Sequence, residues 1–186
     1  MRVTVSGLPG SGTTSLARQL AAAHHLTLIS AGEVFRQMAR EKGMELAEFG
    51  RLAEHDPSID REIDTRQKEI AGASEDIVAE GRLSGWFVNN ADLKVCLFAP
   101  LERRVERILA RDSVEGLGKA LEVTREREIC EARRYKEYYG IDINDLAPYH
   151  LVLNSDLFGV EELGAIVNAA IQVVRDRSRK GNAGNL

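Results

Sequence analysis

The sequence predicts an α/β fold in which a five-stranded parallel sheet is covered by helices on both faces. Two observations predict it. Short β-branched or apolar runs alternate with helix-length segments of three- and four-residue apolar spacing, and the first run ends in a glycine-rich turn that opens a helix. The runs fall at 3–6, 26–30, 76–80, 93–99 and 151–154, where helical periodicity fails. The helical segments are predicted at 13–24, 31–42, 46–54, 58–71, 100–112, 118–139 and 160–176. Strand–helix alternation of this kind is closed by right-handed crossovers.

Two stretches are too long to be plain crossovers, namely the helical material between Ser30 and Asp76 and the charged stretch between Arg103 and Pro148. They are expected to be insertions over a site. In the first, Asp56-Pro57-Ser58 reads as a helix start, with Asp56 as cap and Pro57 as the first helical residue. A chain of 186 residues has enough material for one substantial core, so residues 1–176 are expected to form one domain. Residues 177–186 carry no apolar face and are expected to be a flexible tail.

Composition narrows the function classes. Apolar residues make up 44% and charged residues 29%, the balance of a globular protein. A net charge of −4 offers no bulk attraction to nucleic acid or to an anionic membrane, so anion binding must come from locally placed arginines. Cys96 and Cys130 lie far apart, and the four histidines fit no zinc spacing, so reduced thiols are expected. The sequence shows neither an apolar run of about 18 residues nor signal-peptide flanks, which predicts a cytoplasmic protein.

The chemistry begins at the first strand's end, with Gly7-Leu8-Pro9-Gly10-Ser11-Gly12-Thr13-Thr14 and then Ser15 and a helical run. A strand, a glycine-rich turn and a helix start bring backbone N–H groups around a concavity at the positive end of a helix dipole, which suits a di- or triphosphate. This is a P-loop pattern in which Thr13 stands where lysine is usual and Thr14 keeps the hydroxyl position that serves Mg²⁺. Lysine normally spans the β- and γ-phosphates, so its charge must be supplied by another cation. Arg18 lies more than a turn into the helix and points away from the loop, which leaves the arginines of the second insertion as the better candidates.

Three further features enter the same crevice, because strand C-termini of an open parallel sheet line the ligand site. Ser30 caps a helix on which Arg36 projects nearly two turns in. Glu80 ends the third strand, where a carboxylate can hold a magnesium–water shell, and Gly81 lets Arg82 turn inward. The charged stretch carries Arg103, Arg104, Arg107, Arg111, Arg125, Arg127, Arg133 and Arg134, most of them expected to pair with neighbouring glutamates. Arg127 and Arg134 are seven apart and share a helix face, and Arg111 precedes a loop that can hinge. On the helix at 58–71, Asp60, Asp64 and Gln67 share a face that is either solvated or a reader of a base.

Together, Gly7 to Thr14, Ser30-x-Gly-x-x-x-Arg36, Glu80-Gly-Arg82 and the arginine-rich stretch resemble the nucleoside monophosphate kinases. Within them, residues 77–82, 99–102, 134–146 and 151–155 resemble the archaeal-type cytidylate kinases, and the likeness covers about residues 1–172. It implies a P-loop NTPase three-layer fold with strand order 2-3-1-4-5, an acceptor-binding insertion at about 31–70 and a short lid at about 111–135. It also implies ATP and Mg²⁺, with CMP or dCMP as acceptor. Arg36, Arg82 and Arg134 would hold the acceptor phosphate, Arg111 and Arg127 would meet the transferring group, and the adenine would lie near Asn154-Ser155. A monomer acting on small molecules is expected. Two other readings stay open: a kinase of the same fold acting on UMP, AMP or dephospho-coenzyme A, and a non-catalytic nucleotide sensor, prompted by Thr13.

Overall fold

Strand β1 (Arg2–Gly7) runs through the middle of the sheet. Val3 and Val5 face one side and Thr4 and Ser6 the other, and all four are buried because helices cover both faces of a parallel sheet. Around it the computed structural model, which describes residues 1–44, 46–72, 74–111 and 116–183, places β2 (Thr27–Ser30), β3 (Ile77–Glu80), β4 (Leu93–Phe98) and β5 (Leu151–Asn154). The order is β2-β3-β1-β4-β5, with every pair parallel. Register sets the strand ends level: Ser30 opposes Glu80, Val5 opposes Glu80, Gly7 opposes Leu97, and Phe98 opposes Asn154. That level edge carries the site.

Helices α1 (Thr13–His24) and α8 (Val160–Ala183) cover one face, where Leu16, Leu20, Val167 and Ile171 close over Val5 and Val95. Near the other face, Leu83 beside α5 (Ser84–Phe87) packs with Tyr135 of α7 (Leu117–Tyr139) and with Ile141. Helices α2 (Ala31–Glu41), α3 (Leu46–His55) and α4 (Pro57–Gly72) form the first insertion. They have their own small core of Val34, Met38, Phe49, Ala53, Ile59 and Ile63, and the Phe35 and Phe49 rings meet at 4.9 Å. Pro57 begins α4 as predicted, and the Asp56 carboxylate accepts the Ser58 N–H at 2.9 Å.

The predicted lid spans the end of α6 (Leu101–Arg111) and most of α7; the joint at 112–115 lies outside the described residues. One predicted boundary is corrected, and one short helix was not predicted. Helix α8 runs past 176 to Ala183, since Arg175 to Lys180 contains good helix formers and no proline, and an exposed helix end needs no apolar face. The one-turn helix α5 is too short for periodicity to reveal. Cys96 and Cys130 are not joined in a disulfide, and among the described residues no helix is long and apolar enough to cross a membrane.

Candidate active site

The glycine-rich loop leaves β1 and turns into α1 without a side-chain cap, since Gly12 at φ 91° occupies the N-cap position. Gly10 has φ 81°, and a Cβ there would lie 2.4 Å from the Arg104 carbonyl; a Cβ on Gly7 would lie 2.5 Å from the Leu97 carbonyl. Both positions therefore require glycine. Ser11 is buried and closes the loop, donating from Oγ to the Leu8 carbonyl at 2.7 Å and from its N–H at 3.1 Å. The first N–H groups of α1 lack intrahelical partners and are suited to an anion. Thr14 is half-buried and Ser15 exposed at this helix start.

Thr13 is where the structure departs most from the lysine it replaces. Its hydroxyl is buried and donates to Glu80 Oε1 at 2.7 Å. Ser30 Oγ donates to the other oxygen, Oε2, at 2.5 Å, and accepts the Glu33 N–H at 3.3 Å as the cap of α2. Glu80, 4% exposed, thus ties together the phosphate loop, the strand end and the start of the acceptor insertion. A cavity of about 170 Å³ opens beside this knot, bordered by Thr14, Ser30, Glu33 and Gln37. A larger one of about 370 Å³ lies beside Met1, Asp92 and Arg175, away from the strand C-termini that carry this chemistry.

These residues fit a magnesium ion held largely through water and phosphate. Among the described residues no group of three or more His, Cys, Asp or Glu is placed to cage a metal, and Mg²⁺ characteristically uses one or two protein oxygens beside substrate phosphates. Of the two predicted metal residues, Glu80 accepts from Thr13 and Ser30, and Thr14 borders the adjoining cavity.

Arg82 follows β3 and is turned back over the loop. Its Nε donates to Glu131 Oε2 at 2.9 Å and its Nη1 to the Gly7 carbonyl at 3.2 Å. Gly81 permits this turn, since a Cβ there would sit 2.7 Å from the Ala31 Cβ. Arg127 Nε donates to the other Glu131 oxygen at 2.8 Å. Burial opposes the charge of Glu131, but Arg82 and Arg127 outweigh it and hold the carboxyl at about 2. One turn of α7 further on, Arg134 Nε lies 3.3 Å from Asp60 Oδ2, an ion pair off the line of a hydrogen bond. Burial pushes the Asp60 carboxyl up, although Arg134 opposes it.

The polar face predicted on α4 therefore meets α7: Asp60 faces Arg134, and Asp64 accepts from Tyr139 Oη at 2.5 Å. Arg36 is folded along its own helix, donating to Glu33 at 2.9 Å, and it stays partly exposed. Arg111 ends α6 at an exposed position, next to the residues outside the described set.

Sequence reasoning listed Arg104 and Arg107 in the charged stretch without giving either a role of its own, and it did not single out Glu131. Arg104 is buried and donates to the Ala99 carbonyl at 2.9 Å and the Pro9 carbonyl at 3.2 Å while pairing with Glu128. Arg107 donates to the Gly10 carbonyl at 3.3 Å and to the Ser155 carbonyl at 2.6 Å. These two brace the outer wall of the loop and join it to the turn after β5. There Asn154 Oδ1 accepts the Asp156 N–H at 2.9 Å and Ser155 N–H reaches the Phe98 carbonyl at 2.9 Å. Their spacing on the helix after β4 was the available signal. Glu131, the third, was one glutamate among many in a charged stretch.

Fold and site together define a P-loop kinase. Residues 2–157 match the model of the cytidylate kinase-like family, and the chain belongs to that family. It is 61% identical over 175 residues to a cytidylate kinase from Methanoregula boonei, covering 94% of this chain and 96% of that one. It is 63% identical over 176 residues to a cytidylate kinase from Methanosphaerula palustris, covering 95% of this chain and 100% of the relative. In three dimensions it is similar to a shikimate kinase from Acinetobacter baumannii at a TM-score of 0.59 and 16% identity, over 92% of this chain and 93% of that one, a likeness of fold.

Proposed function

We propose that this protein is a cytidylate kinase, which transfers the γ-phosphoryl group of ATP to CMP, and to dCMP, giving ADP and the cytidine diphosphate. The observation that carries the reading is the contact of Arg82 with the Gly7 carbonyl at 3.2 Å, which sets an arginine suited to the acceptor phosphate against the loop suited to the donor. The relatives named as cytidylate kinases favour CMP over UMP, AMP or dephospho-coenzyme A.

No general base is required. A nucleoside monophosphate is largely dianionic at neutral pH, so an acceptor oxygen attacks the γ-phosphorus while the bond to the ADP oxygen breaks. The chain's task is alignment and charge neutralisation. The loop N–H groups from Gly7 to Ser15 hold the donor phosphates, and Asn154-Ser155 borders the adenine. Arg36, Arg82 and Arg134 hold the acceptor phosphate, with Ser30, Asp60 and Asp64 shaping the acceptor side. Arg111 and Arg127 supply the positive charge that Thr13 lacks. Thr14 and Glu80 would hold Mg²⁺, which would supply further neutralisation of the donor phosphates. Closure of the α6–α7 element keeps water from taking the γ-phosphoryl group. The enzyme acts as a cytoplasmic monomer on small molecules.

A coupled ADP-release assay across CMP, dCMP, UMP, AMP and GMP tests the reading. CMP and dCMP are expected to give the highest kcat/KM. ATP and CMP binding without ADP release would instead establish the sensor.

A further inference from the structure

Glu131 lies within α7, with a side chain 8% exposed. Each of its oxygens takes one arginine, and in both cases the donor is Nε: Arg82 at 2.9 Å to Oε2 and Arg127 at 2.8 Å to Oε1. The arginines come from different parts of the fold, Arg82 from the end of β3 and Arg127 from one turn earlier in α7. Arg134, on the same helix, also presents Nε to a carboxylate, that of Asp60.

The edge that is engaged decides what the contact does. A guanidinium has five N–H donors in one plane, and a carboxylate on Nε fixes the plane's rotation without occupying the two terminal nitrogens. A carboxylate on the terminal fork would instead compete with a phosphate for the same donors. Arg82 already uses its geometry in this divided way, with Nε on Glu131 and Nη1 on the Gly7 carbonyl. Charge argues in the same direction: the carboxylate between the two guanidiniums offsets their mutual repulsion, and the net positive charge that remains still attracts a phosphate. Stability alone is a weak reason for such a buried group, because a buried ion pair is often replaceable by apolar residues without loss.

We infer that Glu131 is a positioning residue for phosphoryl transfer, setting the planes of Arg82 and Arg127 so that their terminal nitrogens converge on the phosphates. The inference rests on the proposed placement of those two arginines, and the test separates the two claims. Kinetics are measured for Glu131→Gln, Glu131→Asp, Arg82→Ala and the Arg82→Ala/Glu131→Gln double variant, with CMP and ATP varied in turn, and thermal unfolding is followed in parallel. Glu131→Gln is expected to lower kcat/KM for CMP about tenfold or more while ATP KM stays within about twofold, a split that a general loosening of structure does not produce. Glu131→Asp keeps the charge and the fold but is too short to reach both arginines, and it is expected to lose activity toward CMP in the same way. The double variant is expected to lose less than the product of the two single losses, because Glu131 acts partly through Arg82; the remaining loss is its hold on Arg127.

Wild-type CMP kinetics in folded Glu131→Gln or Glu131→Asp, beside an impaired Arg82→Ala, overturn the inference. So does a double variant whose losses multiply. Wild-type kinetics in Arg82→Ala overturn the placement of the phosphate site itself. Should Glu131→Gln fail to fold, Glu131→Asp decides alone.

Discussion

Thr13→Val removes one hydroxyl and keeps the shape of the side chain. What is lost is the 2.7 Å hydrogen bond to Glu80 Oε1, while Ser30 still holds Oε2. A hydrogen bond to a charged acceptor contributes roughly 1.5–3 kcal/mol, and Glu80 at 4% exposure has little water to replace it. If the placement of this carboxylate matters chiefly as charge develops in transfer, the loss falls on kcat, by about tenfold to a hundredfold. ATP KM is expected to change little, since the loop N–H groups and the bracing by Arg104 and Arg107 remain. The assay is steady-state ADP release at saturating CMP across a range of ATP and Mg²⁺, with denaturant unfolding as the control. A folded Thr13→Val protein with wild-type kcat and wild-type Mg²⁺ dependence would show that the hydroxyl has no part in transfer.

Three more outcomes follow from the same geometry. Arg82→Ala is expected to leave the fold intact, since Glu131 keeps Arg127, and to cut CMP turnover by on the order of a hundredfold, because the fork donor proposed for the acceptor phosphate is lost; unchanged CMP kinetics would count against that proposal. Thr13→Lys and Arg127→Ala are expected to be non-additive in kcat, the lysine partly rescuing the arginine loss, whereas additivity within about 0.5 kcal/mol would show that they serve different phosphates. The Glu131 carboxyl titrates at about 2 when folded against an ordinary 4.5. The stability it contributes, on the order of 3 kcal/mol, is therefore complete above the unfolded value and drains as pH falls toward 2. Urea unfolding at neutral pH and near pH 3 measures this, and an equal acid loss in Glu131→Gln would contradict it.

The main elements were legible because each rests on local signals. Buried β-branched runs, Asp56-Pro57 before α4 and Ser30 before α2 all stand where the sequence places them. The resemblance supplied the strand order, which no local signal fixes. What escaped was partner choice. Arginines and glutamates alternate along α7 so closely that spacing alone does not distinguish Glu131, buried between two arginines, from its exposed neighbour Glu126. The contact of Asp60 and Asp64 with α7 depends on how the insertion packs against a helix distant in sequence. Thr13 was legible as a departure from the lysine pattern, but its hydroxyl's target is set by the β1–β3 register, which brings Glu80 beside the loop.

Movement of a phosphoryl group from ATP to CMP is read by separating the nucleotides formed when catalytic amounts of the protein are incubated with CMP, ATP and Mg²⁺. CDP and ADP are expected in equal amounts, both depending on added CMP, with the same result for dCMP and far less product from AMP or GMP. ADP formed without CDP, or no turnover by a folded protein that binds both nucleotides, would show that this site is not a cytidylate kinase.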